Sequence, residues 1–177
     1  NGVKKIDKIN KKVFVKRILT VANMSPRKGY IEYIEVMKKV ISKHPEVIFT
    51  FVGSDNMNGL VLKSIKKNKL TNYVEYLGFM KSVRSQFLSS YLFVLPSLYS
   101  EGCPTSIMEA MQYGIPCIAY DNVNTQKYLH PSLSVTDGDI EHARKLAIRL
   151  SKDQDFYTQC SAEATENFNK IYSENVF

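Results

Sequence analysis

Long apolar runs are missing from this sequence, cysteine is scarce, and the common catalytic signatures are absent; each gap removes a class of function. No apolar stretch approaches the roughly 18 residues that a bilayer-spanning helix needs. The longest resemble Tyr91-Leu-Phe-Val-Leu95, and no signal-peptide pattern opens the chain. A membrane-spanning or secreted protein is therefore not expected. Cys103, Cys117 and Cys160 are odd in number and widely spaced, with no Cys-x-x-Cys pair and no nearby His. They suit a reducing cytosol and carry no zinc signal. Gly-x-Gly-x-x-Gly, a phosphate loop ending Gly-Lys-Ser/Thr, Gly-x-Ser-x-Gly and His-Glu-x-x-His do not occur. Dinucleotide dehydrogenases, P-loop kinases, serine hydrolases of that type and zinc proteases drop out with them. His44, His130 and His142 lack suggestive neighbours and read as surface or packing residues.

What is present is enough for one globular domain: 177 residues, 44% hydrophobic and 23% charged. A chain that opens on Asn1 and closes on Val176-Phe177 is expected to be an excised segment of a larger protein. The net charge of +7 is concentrated at the start: residues 1 to 28 hold Lys or Arg at 4, 5, 8, 11, 12, 16, 17, 27 and 28 against the single Asp7. Such a run can touch nucleic acid or an anionic membrane surface. A solvated leader or linker over residues 1–16 is the reading preferred here, with no nucleic-acid partner.

Arg17-Ile-Leu-Thr-Val-Ala22 is a branched apolar run, followed by the loop Met24-Ser-Pro-Arg-Lys-Gly29 and by Tyr30, Tyr33, Ile34, Met37 and Ile41 at helical spacing. The unit recurs. Val47–Val52 ends at Gly53 before a helix with Leu60, Val61 and Ile65; Val74–Leu77 ends at Gly78 before a short helix near 81 to 89. Tyr91–Leu95 ends at Pro96 before a helix near 105 to 113, and Ile115–Ala119 closes the series. Five near-continuous apolar strands alternating with helices indicate a Rossmann-like, doubly wound parallel α/β sheet, covered on both faces. Its ligands bind beyond the carboxyl ends of the strands. After the polar loop Asp121-Asn-Val-Asn-Thr125, helical material from Ile140 to about Ile171 reads as a final helix packing back on the sheet. Asp137-Gly-Asp139 has the spacing of a divalent-ion site, but a turn with Asp139 capping the next helix fits it better.

The segment from Pro96 to Ala119 places a loop at a strand's carboxyl end and then opens a helix, which is an anion-binding geometry. Gly102 allows a phosphate to approach the backbone. Glu101 lies in the loop and Glu109 about one turn inside the helix, so the two carboxylates can flank a ligand and accept from sugar hydroxyls. Local chemistry leaves two alternatives open: Glu109 forms a capping box with Ser106, and Glu101 is a solvated loop acid.

Glu101, seven residues, then Glu109-Ala-Met-x-x-Gly-x-Pro resembles the donor-binding motif of the retaining GT-B glycosyltransferases, in particular glycosyltransferase family 4 (glycosyl transferases group 1). Val21-Ala-Asn-Met-Ser-Pro-Arg-Lys28-Gly29 is similar to that family's Gly-Arg-Leu-x-x-x-Lys-Gly loop. Phe51-Val-Gly53, Leu77-Gly78-Phe79 and Val94-Leu-Pro-Ser97 match its following strand ends in order. The resemblance implies that residues 17–177 form the C-terminal, nucleotide-sugar-binding half of a GT-B fold, with the N-terminal acceptor domain absent. It also implies a hexosyltransferase activity of the full-length protein that the fragment alone lacks. By the same resemblance Glu101 holds hydroxyls of the transferred sugar, Lys28 stabilises the departing nucleoside diphosphate, and the backbone of Gly102, Cys103, Pro104 and Thr105 meets the diphosphate. Ser106 and Gly53 line the donor site, Glu109 binds the ribose, and Phe79 and Met80 lie against the base, with a core residue the second reading of Phe79.

Two positions depart from the family pattern. Its Arg partner of Lys28 is Asn23 here, which removes a cation unless Arg27 turns inward. Its Gly-Gly-x-x-Glu reads Asn122-Val-Asn-Thr-Gln126. The expected substrate is a UDP- or GDP-linked sugar, with no cofactor and no metal. The acceptor is a glycan or lipid-linked hydroxyl met through the missing domain. The setting is cytoplasmic, with a peripheral contact at the inner membrane face during envelope polysaccharide synthesis. A nucleotide-sugar epimerase of similar architecture and a non-catalytic α/β interaction module are the rivals.

Overall fold

The computed structural model describes residues 16–99, 105–120, 129, 133–135 and 139–174. Among the described residues six parallel strands form one sheet: β1 (Lys16–Val21), β2 (Val47–Val52), β3 (Val74–Tyr76), β4 (Leu92–Leu95), β5 (Cys117–Tyr120) and β6 (Ser134–Val135). Their order is β3-β2-β1-β4-β5-β6. This is the doubly wound order, in which the chain runs outward from β1 to β3, returns across it to β4, and leaves a crevice between β1 and β4 where the direction reverses. The helices are α1 (Tyr30–Ile41), α2 (Leu60–Lys67), α3 (Arg84–Leu88), α4 (Thr105–Gln112), α5 (Ile140–Lys152) and α6 (Gln154–Glu174).

The apolar runs are continuous because β1, β2, β4 and β5 each supply two cores in alternation. Ile18, Phe49, Phe51, Leu92, Val94 and Ile118 face one side, with residues of α1, α2 and α5. Leu19, Val52, Phe93, Leu95, Cys117 and Ala119 face the other, with Phe87 of α3, Ile107 and Met111 of α4 and Ala164 of α6. Edge-on aromatic pairs fill the first core: Tyr30 meets Phe51 at 5.1 Å and Tyr33 meets Phe49 at 5.8 Å between ring centroids.

The expected fold class and the five expected strands are present, with ends shifted by a residue or two, and β2 keeps its bounds. Two features differ from expectation. A sixth strand, two residues long, pairs with β5 at Ala119 and Tyr120. The single C-terminal helix is two, broken at Asp153, whose extended backbone (φ −96°, ψ 93°) ends α5. The Asp153 carboxylate accepts from the Phe156 amide at 2.9 Å and so caps α6, while the Arg149 guanidinium lies 3.7 Å from the centre of the Phe156 ring. The break lets α5 pack on α1 and α6 cross to the opposite face against α4. Asp139 caps α5 as expected, accepting from the His142 amide at 2.8 Å; Asp137 and Gly138 lie outside the described residues. So does most of the expected basic leader, residues 1–15, and Lys16 already belongs to β1. Among the described residues no helix is long and apolar enough to cross a membrane.

Two glycines set the carboxyl end of the sheet. Gly29, at φ 59°, precedes α1 where a Cβ would run into the carbonyl oxygen of Pro96. Gly53, at φ 144°, follows β2 where a Cβ would overlap the carbonyl of Ala22. Side chains are excluded at both by space and by backbone conformation. Gly29→Ala is expected to destabilise the domain by about 2 kcal/mol or more, combining the left-handed backbone cost with the clash against Pro96. Asp153→Ala, losing the α6 cap and an exposed ion pair with Arg149 at 3.5 Å, is expected to cost about 1 kcal/mol. Urea unfolding of both variants checks the ranking; equal midpoints would refute it.

Candidate functional site

The β1 end is held by backbone contacts on both sides. The Ala22 amide donates to the Val52 carbonyl at 2.9 Å and the Met24 amide to the Ser54 carbonyl at 2.8 Å, while the Asn56 amide returns to the Met24 carbonyl at 3.0 Å. The Tyr30 hydroxyl donates to the Ala22 carbonyl at 2.7 Å. Burial, with Tyr76 a smaller cause, pushes the Tyr30 pKa well above the ordinary phenol range, so it remains a donor. Met24, fully buried, pins the loop that follows. A short 3-10 turn at Pro26–Lys28 then delivers Lys28 to the start of α1. Across the crevice, the Leu98 amide donates to the Arg27 carbonyl at 2.9 Å, tying this loop to the exit of β4.

Between these two strand ends lies a cleft of about 460 Å³, lined by Asn23 and Lys28 from the β1–α1 loop, Met80 and Lys81 from the β3–α3 loop, and Thr105, Ser106 and Glu109 of α4. Val21, Ala22, Val83 and Leu95 form its apolar floor. Two smaller cavities of about 10 Å³ lie inside the sheet–α1 core and have no charged lining. The main cleft therefore gathers cations, a helix N-terminus and a carboxylate at the topological switch point. The first-turn amides of α4 have no partner within the helix and carry the positive end of its dipole. Glu109 is exposed at the rim, yet partial burial alone raises its pKa above the ordinary value of 4.5. No cation lowers it, so this carboxylate is not neutralised by a lysine of the cleft.

The sequence-selected residues divide as follows. Asn23, Lys28, Met80, Thr105, Ser106 and Glu109 are brought together in the cleft. Asn23 is also engaged structurally, its Oδ1 accepting from the Ser54 amide at 2.9 Å. The inward turn considered for Arg27 does not occur: it does not line the cleft, and its guanidinium lies 5.9 Å from the centre of the Tyr99 ring. Gly53 and Phe79 are also outside the lining. Gly53 packs on Ala22, and Phe79 is 72% exposed, which rules out the core alternative. Glu101, Gly102, Cys103 and Pro104 lie outside the described residues, as do Asn122 to Gln126. Because α4 opens at Thr105, Ser106 is already inside its first turn and not at the cap position that the capping-box alternative requires. Lys81 was not anticipated from sequence. No local pattern marks it, and only the return of the chain from β3 to β4 brings it to the cleft.

Comparison with known proteins agrees with this fold. The family model described as glycosyl transferases group 1 matches residues 3–167. The UDP-Gal:alpha-D-GlcNAc-diphosphoundecaprenol alpha-1,3-galactosyltransferase of Escherichia coli is 33% identical over 107 residues, 59% of this chain and 27% of that protein. A structure of S. aureus TarM in complex with UDP, alpha-GlcNAc-glycerol and fondaparinux superposes with a TM-score of 0.83 at 22% identity, over 96% of this chain and 35% of that one. The C-terminal domain of a glycosyl transferase group 1 family protein from Francisella tularensis superposes with a TM-score of 0.78 at 17% identity, over 89% of this chain and 86% of that domain. At these identities the superpositions establish the fold. The chain spans between 17% and 36% of the length of the curated relatives it matches. With the family model covering nearly all of it, the chain belongs to the glycosyl transferases group 1 family.

Proposed function

We propose that this chain is the nucleotide-sugar-binding domain of a retaining GT-B glycosyltransferase of the family 4 type. The whole protein transfers a sugar from a nucleoside diphosphate to a hydroxyl of a growing glycan or envelope polysaccharide. The observation that carries the reading is the convergence of Lys28, the first turn of α4 and Glu109 on one cleft at the switch point. In this assignment the α4 amides and Lys28 take the diphosphate, and Lys28 stabilises the charge that develops on the leaving group. Glu109 accepts from the ribose hydroxyls, Met80 lies against the base, and Glu101 holds the sugar. No residue of the set needs a metal for these contacts. The E. coli relative's name specifies a UDP-galactose donor and the TarM complex holds UDP, which makes UDP the first nucleotide to test and GDP the second. The acceptor is met through a second domain, so the present chain binds donor and does not transfer it. A site at the cytoplasmic face of the membrane, in peripheral contact with lipid-linked acceptor, fits polysaccharide synthesis from cytosolic nucleotide sugars.

Titration of the 177-residue chain with UDP, GDP and their sugar conjugates, followed by ligand-observed NMR, tests the assignment. Lys28→Ala is expected to weaken the preferred nucleotide about tenfold or more, the loss of a charge-assisted contact of ~1.5–3 kcal/mol. An unaltered affinity would remove Lys28 from the site.

The raised Glu109 pKa gives a second prediction with two signs. Desolvation penalises the charged form, so its contribution to stability is complete below the unfolded pKa and declines as pH rises through the folded one, above 4.5. Glu109→Gln is therefore expected to melt no lower than the parent at pH 7 while binding nucleotide less well. In the parent, nucleotide affinity should fall on acidification, beginning at a higher pH than an ordinary carboxylate would dictate, and Glu109→Gln should flatten that profile. A variant that loses stability and affinity together would instead mark Glu109 as a structural residue.

A further inference from the structure

The cleft has one cation for which neither the sequence pattern nor the family resemblance supplies a role. Lys81 follows β3, and both neighbours of this loop are anchored. The Leu77 amide donates to the Phe51 carbonyl and the Gly53 amide to the Gly78 carbonyl, each at 2.9 Å, which ties the start of the loop to the β2 end. Met80 and Val83, on either side, pack against the second core. Lys81 is thus presented from a fixed backbone while its own side chain is exposed and borders the cleft. Its ammonium makes no ion pair or hydrogen bond among the described residues.

The charges around the cleft give this position a purpose. A diphosphate ester brings more than one negative charge, and Lys28 offsets a single unit. The neighbouring candidates are otherwise committed. Asn23 is neutral and its carbonyl oxygen is bound to the Ser54 amide. Arg27 lies on Tyr99 outside the cleft. Glu109 adds a negative charge to the lining, so an anion entering between Lys28 and α4 meets a carboxylate as well as a cation. Among the described lining residues Lys81 is the one further cation. It comes from a different loop than Lys28, so the two can approach one anion from separate walls without repelling each other along a shared segment.

We propose that Lys81 is the second phosphate-binding cation of this cleft, pairing with Lys28 on the diphosphate of the nucleotide and supplying the charge that Asn23 cannot. The assignment rests on the donor-binding reading above, and it adds a ligand contact from the β3–α3 loop. Because Lys81 reaches the ligand from an exposed position, its contribution is smaller than that of a buried charge pair and is reduced by salt.

The test compares phosphate-bearing and phosphate-free ligands. UDP and GDP, each beside its nucleoside, are titrated against the 177-residue chain and against Lys81→Ala, Lys81→Arg and Lys28→Ala, with melting temperatures recorded for all. Lys81→Ala is expected to melt like the parent, to bind the preferred diphosphate about fivefold to tenfold more weakly, and to bind the nucleoside unchanged, while Lys81→Arg retains most of the affinity. Rising salt should narrow the gap between Lys81→Ala and the parent. If Lys81→Ala binds the diphosphate as the parent does while Lys28→Ala is impaired, the Lys81 assignment is overturned and the donor-binding reading stands. Equal weakening of nucleoside and diphosphate would also overturn it, since a phosphate contact cannot act on a ligand without phosphate. A parent chain that binds neither nucleotide overturns both.

Discussion

The carboxyl end of this sheet depends on two places where backbone touches backbone with no room for a side chain. Gly29 lies against the Pro96 carbonyl and Gly53 against the Ala22 carbonyl. The first contact joins the loop after β1 to the exit of β4, the two strands that flank the switch point; the second joins the ends of β1 and β2. Together they hold the turn bearing Lys28 against the exit of β4 and the end of β2. A Cβ at either place would force the strand ends apart, and the contacts that fix Ala22, Met24 and Leu98 would have to follow. Interiors are close-packed and yield little to such strain. The loop that carries Lys28 is therefore held against the exit of β4 by backbone contact that precedes any ligand.

On that frame the electrostatics are unbalanced by design of the fold. An α/β sheet sends its loops and helix starts to one end, so positive dipole ends and loop cations collect there without any one segment being strongly basic. Among the described residues the cleft receives Lys28, Lys81 and the start of α4, with Glu109 the opposing acid. Its carboxyl is partly desolvated and is held by no cation among the described residues, which leaves the carboxylate available to hydroxyl donors. A surface that binds an anion and a polyol side by side requires that separation of charge, since a lysine–glutamate pair would satisfy itself and bind neither well.

Much of this was legible in the chain. The strands could be read because burial on both faces makes them continuous apolar runs, and β2 was placed to the residue for that reason. Asp139 was recognised as a cap from its position after a turn. Asp153 was missed although it performs the same function, because the apolar spacing of α5 and α6 runs on through it and only the change of sheet face makes a break necessary. Ser134 and Val135 are too short a run to carry a period and become a strand only by lying beside β5. In the site, Lys28 and Glu109 were found through motif context, whereas Lys81 depends on a crossover between strands that are not neighbours in the sheet. Arg27, attractive in sequence, is taken by an aromatic ring that nothing in its immediate neighbourhood of sequence announced.

On the proposed reading, the relation between Asn23 and Lys81 is a way for such a site to change without losing its balance. An anion senses the summed field of the cleft more than the identity of the segment that supplies each charge, because the walls are of low polarizability and the ligand lies between them. A cation lost from the β1–α1 loop can therefore be offset from the β3–α3 loop, provided the second loop is as well anchored as the first. That condition is met here by Gly78, Met80 and Val83, which bind the loop to the β2 end and to the core. Asn23, relieved of contributing charge, is free to close the backbone at Ser54 instead. On the proposed reading the positive charge facing the diphosphate is kept while its origin moves across the crevice, and a residue-by-residue comparison of motifs would record only the loss.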